Sequence, residues 1–317
     1  MAKKISRRSF IKKTAAAGAS TVIGGAIIPS AFKSKTGIAY GSAKVDVSVV
    51  KGENYFENAV KAVEQLGGME KFVPKGSKVA VLANPQRNNP GAYTKPEVLR
   101  AVIKMCKDAG AKEVNCISQL AEGNWESTGL LKVVQEEGAN YIYVDRQDES
   151  KFKSIPIGDD KVLKEAFIIE GFLANDVFIN VPITKDHAGN KFTGTLKNLM
   201  GLNLGKSNRS FHKANWTKDV EAIKHLDHCI ADLNLTVKPD LCVVDATEFI
   251  TTNGPFGPGE IIKPMKVVAG VDRVAVDSYC ATLLGLKGTD VVHIKKAFEY
   301  KLGEIDLNKV NIKEIEI

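Results

Sequence analysis

Cationic, imidazole and amide side chains are concentrated in one turn-rich stretch, residues 176–201, which reads DVFINVPITKDHAGNKFTGTLKNLMG. Lys185 and His187 follow an apolar run typical of a buried strand, and Lys197 and Asn198 lie in a short predicted helix. A helix N-terminus offers free N–H groups and a favourable dipole, so a small anion could bind there with Lys185 or Lys197 as its counter-charge. The alternative, equally weighted on residue types alone, is that the lysines are solvated and Asn198 caps local backbone.

Some of these residues are also of types that bind transition metals. His187 and His212 lie in predicted loops on either side of the KNLMG helix, and Asp232 ends a helix that also carries His225 and His228. Imidazole and carboxylate groups bind ions such as zinc or iron when three or four of them converge. We therefore take His187, His212 and Asp232 as candidate ligands of a divalent transition metal. The spacing matches no known metal signature, and His225 and His228 are better explained as surface residues on one helical face.

Four other residues are candidates because they lie in predicted turns. Asn84 follows one predicted strand directly, and Asp245 ends another, where its carboxylate could be a ligand, a base or a satisfied turn residue. Asn253 and Gly254 belong to a loop that packs three glycines and two prolines into TNGPFGPG. Such a loop lets backbone approach a ligand closely, although a rigid turn between strands is an equally good interpretation. For catalysis, the candidates by residue type are Lys185, His187 and Asp245.

Several common catalytic chemistries have no support in the sequence. The serine-hydrolase pattern G-x-S-x-G is absent. The five cysteines are scattered, odd in number and nowhere spaced as C-x-x-C, which argues against a disulfide framework, a zinc motif and an iron–sulfur cluster. Cys242 and Cys280 lie in apolar surroundings and are predicted to be core residues rather than nucleophiles.

Alternating strands and helices must position these side chains. Short apolar runs predict strands at residues 78–82, 113–117, 141–144, 176–181 and 241–244. Helical spacing of apolar residues predicts helices at residues 54–66, 96–109, 126–137, 218–233 and 272–284. This alternation predicts an α/β fold with a mainly parallel sheet, helical crossovers and Rossmann-like layering. Ligands gather beyond the carboxyl ends of strands in such sheets, which favours one site shared by Asn84, Lys185 and Asp245.

Charge is distributed unevenly along the 317 residues. The whole chain has 44 basic and 37 acidic residues, a net charge of +7. Eight of the basic residues and none of the acidic ones lie in residues 1–43, so the remainder has a net charge of −1. A nucleic-acid partner recognised through bulk charge is therefore not expected. After this leader no apolar run approaches the ~18 residues that a membrane span needs, so no stable span is expected there.

Residues 1–43 have the layout of an export signal. A basic start, SRRSFIK at residues 6–12, precedes a mildly apolar Ala- and Gly-rich stretch at about 15–29 and small residues near the end. The paired arginines resemble the twin-arginine signal, which directs folded proteins to a dedicated translocase. We therefore expect a signal peptide at 1–43, the twin-arginine translocase as a partner, and a periplasmic or otherwise exported product. The alternative is a basic disordered tail or a membrane anchor.

Several motifs follow one another across most of the remaining chain. After the stretch from Val79 through Val114 come INVPITKDH, TGTLKNLMG, ADLN, VVDAT, NGPFGPG and AVDS. Together these motifs resemble the domain of unknown function 362 family, over roughly residues 79–286. Some members of that family carry an appended ferredoxin-like segment that binds two four-iron–four-sulfur clusters. Because this chain has no C-x-x-C run, cluster binding is not implied for it.

The family pattern marks a set of positions without assigning them roles. It falls on Lys185, His187, Lys197, Asn198, His212, Asp232, Asp245, Asn253, Gly254, Pro255, Gly259 and Asp277. Asp277 lies within a predicted helix, where a partly buried carboxylate needs a partner, so we expect it to belong to a structural network. A functional role is favoured for His187 and His212.

The resulting hypothesis is an exported α/β protein at residues 44–317, built as one domain or as two lobes at about 44–160 and 161–317. It binds a small anionic or metal-associated ligand and is a candidate cofactor-dependent enzyme. The alternatives are a non-catalytic periplasmic binding or metal-handling module and, disfavoured by the cysteine spacing, an iron–sulfur redox partner. Ligand retention without turnover would identify the binding module.

Overall fold

The computed structural model describes residues 45–317, so the predicted signal peptide at 1–43 lies outside the described residues. Alternating short apolar runs form twelve strands in this part of the chain. They are β1 Val47–Lys51, β2 Lys78–Ala83, β3 Glu113–Ser118, β4 Asn140–Tyr143, β5 Phe152–Pro156, β6 Glu165–Ile169, β7 Val177–Val181, β8 Leu241–Ala246, β9 Phe249–Ile250, β10 Ile261–Ile262, β11 Lys266–Gly270 and β12 Ile312–Glu316.

Eight of these strands form one sheet in the order β12-β1-β11-β8-β7-β2-β3-β4. Adjacent strands from β8 to β4 are parallel, and β12 is parallel to β1. Only β11, which is antiparallel to both β1 and β8, runs against the other strands of this sheet. The predicted α/β fold with a mainly parallel sheet is therefore confirmed.

The order of the strands creates a switch point between β2 and β7. From β2 the chain continues outwards through β3 and β4 on one side, whereas β7 and β8 extend the sheet on the other side. Register pairs Leu82 of β2 with Asn180 of β7, next to the carboxyl ends of both strands. In open α/β sheets the crevice beyond such a reversal is the usual ligand position.

Ten α-helices connect and cover the strands of the described chain. They are α1 Tyr55–Gln65, α2 Pro96–Asp108, α3 Glu122–Ser127, α4 Leu130–Glu136, α5 Glu170–Leu173, α6 Thr195–Asn198, α7 Gly205–Phe211, α8 Val220–Leu233, α9 Arg273–Thr282 and α10 Val292–Glu299. Local chemistry explains several of their ends. Pro96 occupies the first turn of α2, where its missing N–H costs nothing. Asp272 caps α9 by accepting hydrogen bonds of 2.9 Å from two backbone N–H groups.

Two hydrophobic cores lie on opposite faces of the sheet, because side chains alternate along each strand. In β2, Val79 and Val81 belong to the core that includes residues of α1, α2 and α4, whereas Ala80 and Leu82 belong to the core covered by α8, α9 and α10. This arrangement gives the helix–sheet–helix layering expected from the alternation of elements. The sheet takes strands from both segments that the sequence offered as separate lobes.

Some elements differ from those predicted. The single helix expected at 126–137 is two helices, α3 and α4, separated at Gly129, which has φ +77°. An uninterrupted helix cannot pass through a residue in that conformation. Seven strands and three helices were not predicted: β1, β5, β6, β9, β10, β11 and β12, and α5, α7 and α10.

All five cysteines are buried and free, as expected for Cys242 and Cys280. A search of the described residues finds no helix with the length and apolarity required to cross a bilayer.

Candidate functional site

A chain of buried amides lies at the switch point. Asn84, immediately after β2, donates from Nδ2 to Oδ1 of Asn198 at 3.1 Å. Asn198 in turn donates to the Leu82 carbonyl at 3.1 Å and to Oδ1 of Asn180 at 2.8 Å. Asn198 thereby ties α6 to the ends of both β2 and β7. The predicted binding candidates Asn84 and Asn198 are thus brought together, and Asn84 Oδ1 is buried without a partner among the described residues.

The N-terminus of α6 is occupied by a carboxylate of the protein itself. Asp277 accepts hydrogen bonds from the backbone N–H groups of Thr195 at 2.6 Å and Leu196 at 2.9 Å. Burial raises the pKa of Asp277 to about 6, against the lowering effect of these two hydrogen bonds. The sequence-based expectation that a ligand anion would sit on this helix end is therefore wrong, because Asp277 already caps it. Asp277 has the structural role that the sequence favoured.

Lys185 is buried just beyond β7. Its backbone pairs with Thr193 on the opposite side of a turn, and its side chain is only 1% exposed. Nζ donates to the Ala92 carbonyl at 2.6 Å. Burial lowers the pKa of Lys185 to about 7, and the nearby charge of Lys197 lowers it further in the same direction. Lys185 forms no ion pair within the described part of the chain.

Lys197 is a second buried cation on α6. Its side chain is 8% exposed, and its Nζ lies 3.4 Å from the thioether sulfur of Met200. Burial lowers the pKa of Lys197 to about 8, although the charge of Asp227 acts in the opposite direction. No carboxylate in residues 45–317 forms an ion pair with Lys197. The two lysines together make a buried region of positive potential with little compensation.

His187 and His212 meet at one indole ring. The Trp216 ring centroid lies 5.1 Å from that of His187 and 4.9 Å from that of His212. His187 Nδ1 accepts from the backbone N–H groups of Gly189 and Asn190, so in the neutral ring its proton lies on Nε2. Burial and the Lys197 charge lower the pKa of His187 well below its usual value and that of His212 to about 4. Both rings are therefore neutral at pH 7.

Trp216 reaches these histidines from an exposed turn at residues 213–219. The turn approaches the His187 loop so closely that a Cβ on Gly189 would lie 2.5 Å from the Trp216 carbonyl oxygen. Only glycine therefore fits at position 189. The turn covers the histidine side of the site with one half-buried aromatic ring.

The loop at 252–259 is hydrogen-bonded to the segment that carries Lys185 and His187. Gly254 donates its N–H to Asp186 Oδ2 at 2.8 Å and accepts from the N–H of Ala188 at 3.1 Å. A Cβ on Gly254 would overlap the Asp186 carbonyl oxygen. The Asn253 side chain, by contrast, donates to the Pro258 carbonyl at 3.1 Å within the loop. Gly254 adjoins the site through its backbone, whereas Asn253 stabilises its own loop.

The carboxylates of Asp245 and Asp232 are engaged elsewhere. Asp245 accepts from the Lys95 N–H at 2.6 Å and from Thr247, through N–H at 2.9 Å and Oγ1 at 2.6 Å. Burial raises its pKa, against these hydrogen bonds and the Lys95 charge.

Asp232 accepts from the Leu163 N–H at 2.9 Å and the Tyr300 hydroxyl at 2.7 Å. Within residues 45–317, no three His, Cys, Asp or Glu side chains are grouped to hold a metal ion. The predicted metal set of His187, His212 and Asp232 is therefore not assembled, because the carboxylate that it needs is bonded to other groups.

An Asp227–His293 pair adjoins the lysines and was not predicted. His293 Nδ1 and Asp227 Oδ1 lie 2.6 Å apart, and both side chains are almost completely buried. His293 is close enough to His187 to contribute to the lowering of its pKa, and the charge of Asp227 raises the pKa of Lys197. His293 was not among the candidates because the sequence at 292–299 was not predicted to be helical. Apolar Val291, Ile294 and Ala297 around it were the available signal.

The fold is an α/β fold with buried lysine and histidine side chains clustered near the carboxyl end of β7. Comparison with known families assigns it further: a profile described as "Domain of unknown function (DUF362)" matches residues 78–282. The chain belongs to this family, as the motif order indicated. It is also 28% identical over 260 residues to a thylakoid-associated protein of Synechocystis sp., covering 76% of this chain and 74% of that protein.

Two solved structures are similar to part of this chain. The lactate racemase apoprotein from Thermoanaerobacterium thermosaccharolyticum has a TM-score of 0.44 and 14% identity, over 74% of this chain and 56% of that one. A protein from Thermotoga maritima has a TM-score of 0.38 and 16% identity, over 61% and 50% of the two chains. This chain therefore spans about half the length of the solved structures that it matches.

Proposed function

We propose that this protein is exported through the twin-arginine route and binds a small anion between Lys185 and Lys197. The observation that carries the binding proposal is the burial of two lysines without a carboxylate partner. Buried charges in proteins are normally paired, because an isolated charge in an apolar interior is costly. A bound anion would supply the missing counter-charge and would favour the charged form of both lysines.

The surroundings of the two lysines support an anion rather than a cation. His187 and His212 have lowered pKa values and are neutral, and Asp245 faces the Lys95 backbone N–H instead of Lys185. Asn84 and the neutral imidazoles offer hydrogen-bonding groups near the lysines. A metal-handling role lacks a comparable observation, because the described residues hold no group of metal-binding side chains.

The closed form of the site constrains the ligand. Lys185 and Lys197 are 1% and 8% exposed, so a bulky molecule cannot reach them in this conformation. The exposed turn at 213–219 carries Trp216 over the histidines. We infer that this turn moves to admit a small anion and that Trp216 closes over it.

A fluorescence titration tests the binding proposal. The chain has two tryptophans, and Trp125→Phe leaves Trp216 as the single reporter beside the site. Acetate and inorganic phosphate are the probes, added to the full chain in this background. We expect saturable quenching or enhancement by at least one of them. Lys185→Met and Lys197→Met should each weaken it about tenfold or more, as expected for the loss of a charged contact.

The matched control is Lys132→Met, which removes an exposed lysine from α4, outside the turn that carries Trp216, and should leave the titration unchanged. Saturable binding that survives both buried-lysine substitutions would overturn the proposal. So would the absence of any saturable response together with no small molecule retained in native mass spectrometry of the full chain.

Export is tested separately by fractionating cells that express the full chain. The support for export is the SRRSFIK segment and the unopposed positive charge of residues 1–43. Replacing Arg7 and Arg8 together by lysine should retain the protein in the cytoplasm. Replacing Lys3 and Lys4 together by arginine is the control that keeps the charge and spares the arginine pair. Export that persists after the Arg7 and Arg8 change would refute this route.

A further inference from the structure

The Asp227–His293 pair has an unused polar atom. His293 is 0% exposed, its Nδ1 is bonded to Asp227 at 2.6 Å, and its Nε2 has no hydrogen-bond partner among residues 45–317. A buried polar atom without a hydrogen-bond partner lowers the stability of the folded protein, so the unpaired Nε2 of His293 needs an explanation. The pair is unlike Asp232 and Asp245, whose oxygens accept hydrogen bonds from several groups.

The pair lies beside the lysine site. Asp227 is close enough to Lys197 for its charge to raise the pKa of that lysine. His293 is close enough to His187 and Asp277 to contribute to the lowering of their pKa values. The His293 ring also stacks on Phe192 at a centroid distance of 6.3 Å, and Phe192 directly precedes Thr193, the backbone partner of Lys185. His293 therefore lies next to the turn between Lys185 and Thr193, which carries predicted site residues.

We propose that His293 is a specificity residue of the anion site, where its Nε2 accepts a hydrogen bond from a hydroxyl group of the ligand. This inference rests on the proposed anion binding and extends it to a substrate class, small hydroxylated carboxylates. Bonding of Nδ1–H to a carboxylate fixes the tautomer, so that Nε2 of the neutral ring is an acceptor. An acceptor needs a donor, which a bare carboxylate does not have.

Charge decides between the two common donors of a small acid. An ammonium group on the ligand would be repelled by Lys185 and Lys197, whereas a hydroxyl group is neutral and is not. The carboxylate of the ligand would face the lysines while its hydroxyl group faces His293. Both groups of a short hydroxy acid would then be satisfied in a site from which water is largely excluded.

Glycolate and acetate are matched probes because they differ by one hydroxyl group. Each is titrated into the full chain in the Trp125→Phe background, with Trp216 as reporter. We expect glycolate to bind about tenfold more tightly than acetate, the ratio that one hydrogen bond to a buried acceptor supplies. Equal binding of the two probes to the wild-type site would overturn the inference.

Two substitutions of His293 test whether it causes the preference. In His293→Asn the amide nitrogen can replace Nδ1 opposite Asp227, but nothing replaces Nε2, so the preference should disappear while acetate affinity changes less than twofold. His293→Gln retains a polar atom near the Nε2 position and should keep part of the preference. The control is His228→Asn, which makes the same substitution at a half-buried histidine on α8.

The outcomes separate this inference from the binding proposal. If His293→Asn keeps the full glycolate preference, the role of His293 is refuted while the anion site stands. If Lys185→Met does not weaken either probe, or if neither probe binds to the wild-type site, the anion site itself is refuted and the inference falls with it. If His293→Asn fails to fold, His293→Gln supplies the test of His293, and a full glycolate preference that is unchanged in His293→Gln would refute its role.

Discussion

Replacing Lys185 by methionine should stabilise the ligand-free protein at neutral pH. Lys185 is 1% exposed and has no ion pair within residues 45–317, and burial lowers its pKa from 10.5 to about 7. Methionine has a similar length and no charge, so it fills the same space without the cost of desolvating an ammonium group. Lys218→Met on the exposed turn is the control and should change stability by less than about 0.5 kcal/mol.

The magnitude follows from the shift of the Lys185 pKa. Each unit of difference between the folded and unfolded proteins corresponds to about 1.4 kcal/mol, so a fall from 10.5 to about 7 makes the charged lysine destabilising by at most roughly 5 kcal/mol. The substitution also leaves the Ala92 carbonyl without its 2.6 Å donor, which costs about 1–3 kcal/mol. We therefore expect a net gain of about 1–3 kcal/mol in the free energy of unfolding at pH 7.

The pH dependence has a definite sign. Between pH 7 and 10.5 the unfolded chain holds a proton on Lys185 that the folded protein has lost, so wild-type stability rises with pH. The advantage of Lys185→Met should therefore shrink by about 1.4 kcal/mol per pH unit above pH 7, so that a gain of about 1–3 kcal/mol vanishes at roughly pH 8–9. Urea denaturation at pH 6, 7, 8 and 9, followed by circular dichroism, measures the difference. A variant that is less stable at pH 6, or a difference independent of pH, would falsify the reasoning.

Three further substitutions separate structural roles from ligand binding. Gly254→Ala should lower the free energy of unfolding by about 2 kcal/mol, because its Cβ would overlap the backbone of Asp186. The control is Gly123→Ala, where a Cβ meets nothing within 4 Å. Equal stabilities of the two variants in urea denaturation would contradict this account. Asp232→Asn should lower stability by about 1–2 kcal/mol by weakening its two hydrogen bonds, with acetate affinity unchanged in the Trp216 titration; weaker binding would instead place this carboxylate in the site. The wild-type protein should lose stability as pH rises from 3.8 to about 6, because the Asp277 carboxyl has a raised pKa and holds its proton more tightly when folded. Asp277→Asn should abolish this pH dependence. Identical pH profiles of the two proteins in urea denaturation would argue against it.

Strands buried on both faces were the most predictable elements. Continuous apolar runs such as KVAVL and DVFINV placed β2 and β7 within one residue of their observed ends. By contrast, β12 has the alternating sequence IKEIE and is largely exposed at the edge of the sheet. An edge strand of this kind is stabilised by its pairing with β1, which the local sequence does not encode.

Residue types marked the candidate residues but not the contacts that surround them. Lys185, Lys197 and His187 were candidates from their residue types and their position in a turn-rich segment, and Lys197 lies close enough to the other two to lower their pKa values. Burial of Lys185 depends on the Ala92 carbonyl, 93 residues away in sequence. His293 reaches the site only because α10 packs against α8, a contact between helices that no local pattern predicts. The pKa shifts of these residues therefore depend on tertiary packing.

Three buried carboxylates of the described chain accept hydrogen bonds from backbone N–H groups and form no ion pair with the buried lysines. Asp277 accepts from Thr195 and Leu196, Asp245 accepts from Lys95 and Thr247, and Asp232 accepts from Leu163. A buried carboxylate is stabilised by such donors, which are plentiful at helix and strand ends.

A buried ammonium group needs acceptors instead, and it finds them only as single carbonyl or thioether contacts here. The same burial that satisfies the acids consequently leaves the lysines undercompensated. This asymmetry cannot be read from the presence of Lys, His and Asp in the sequence, and it supports the proposal of an anion rather than a metal ion as the ligand.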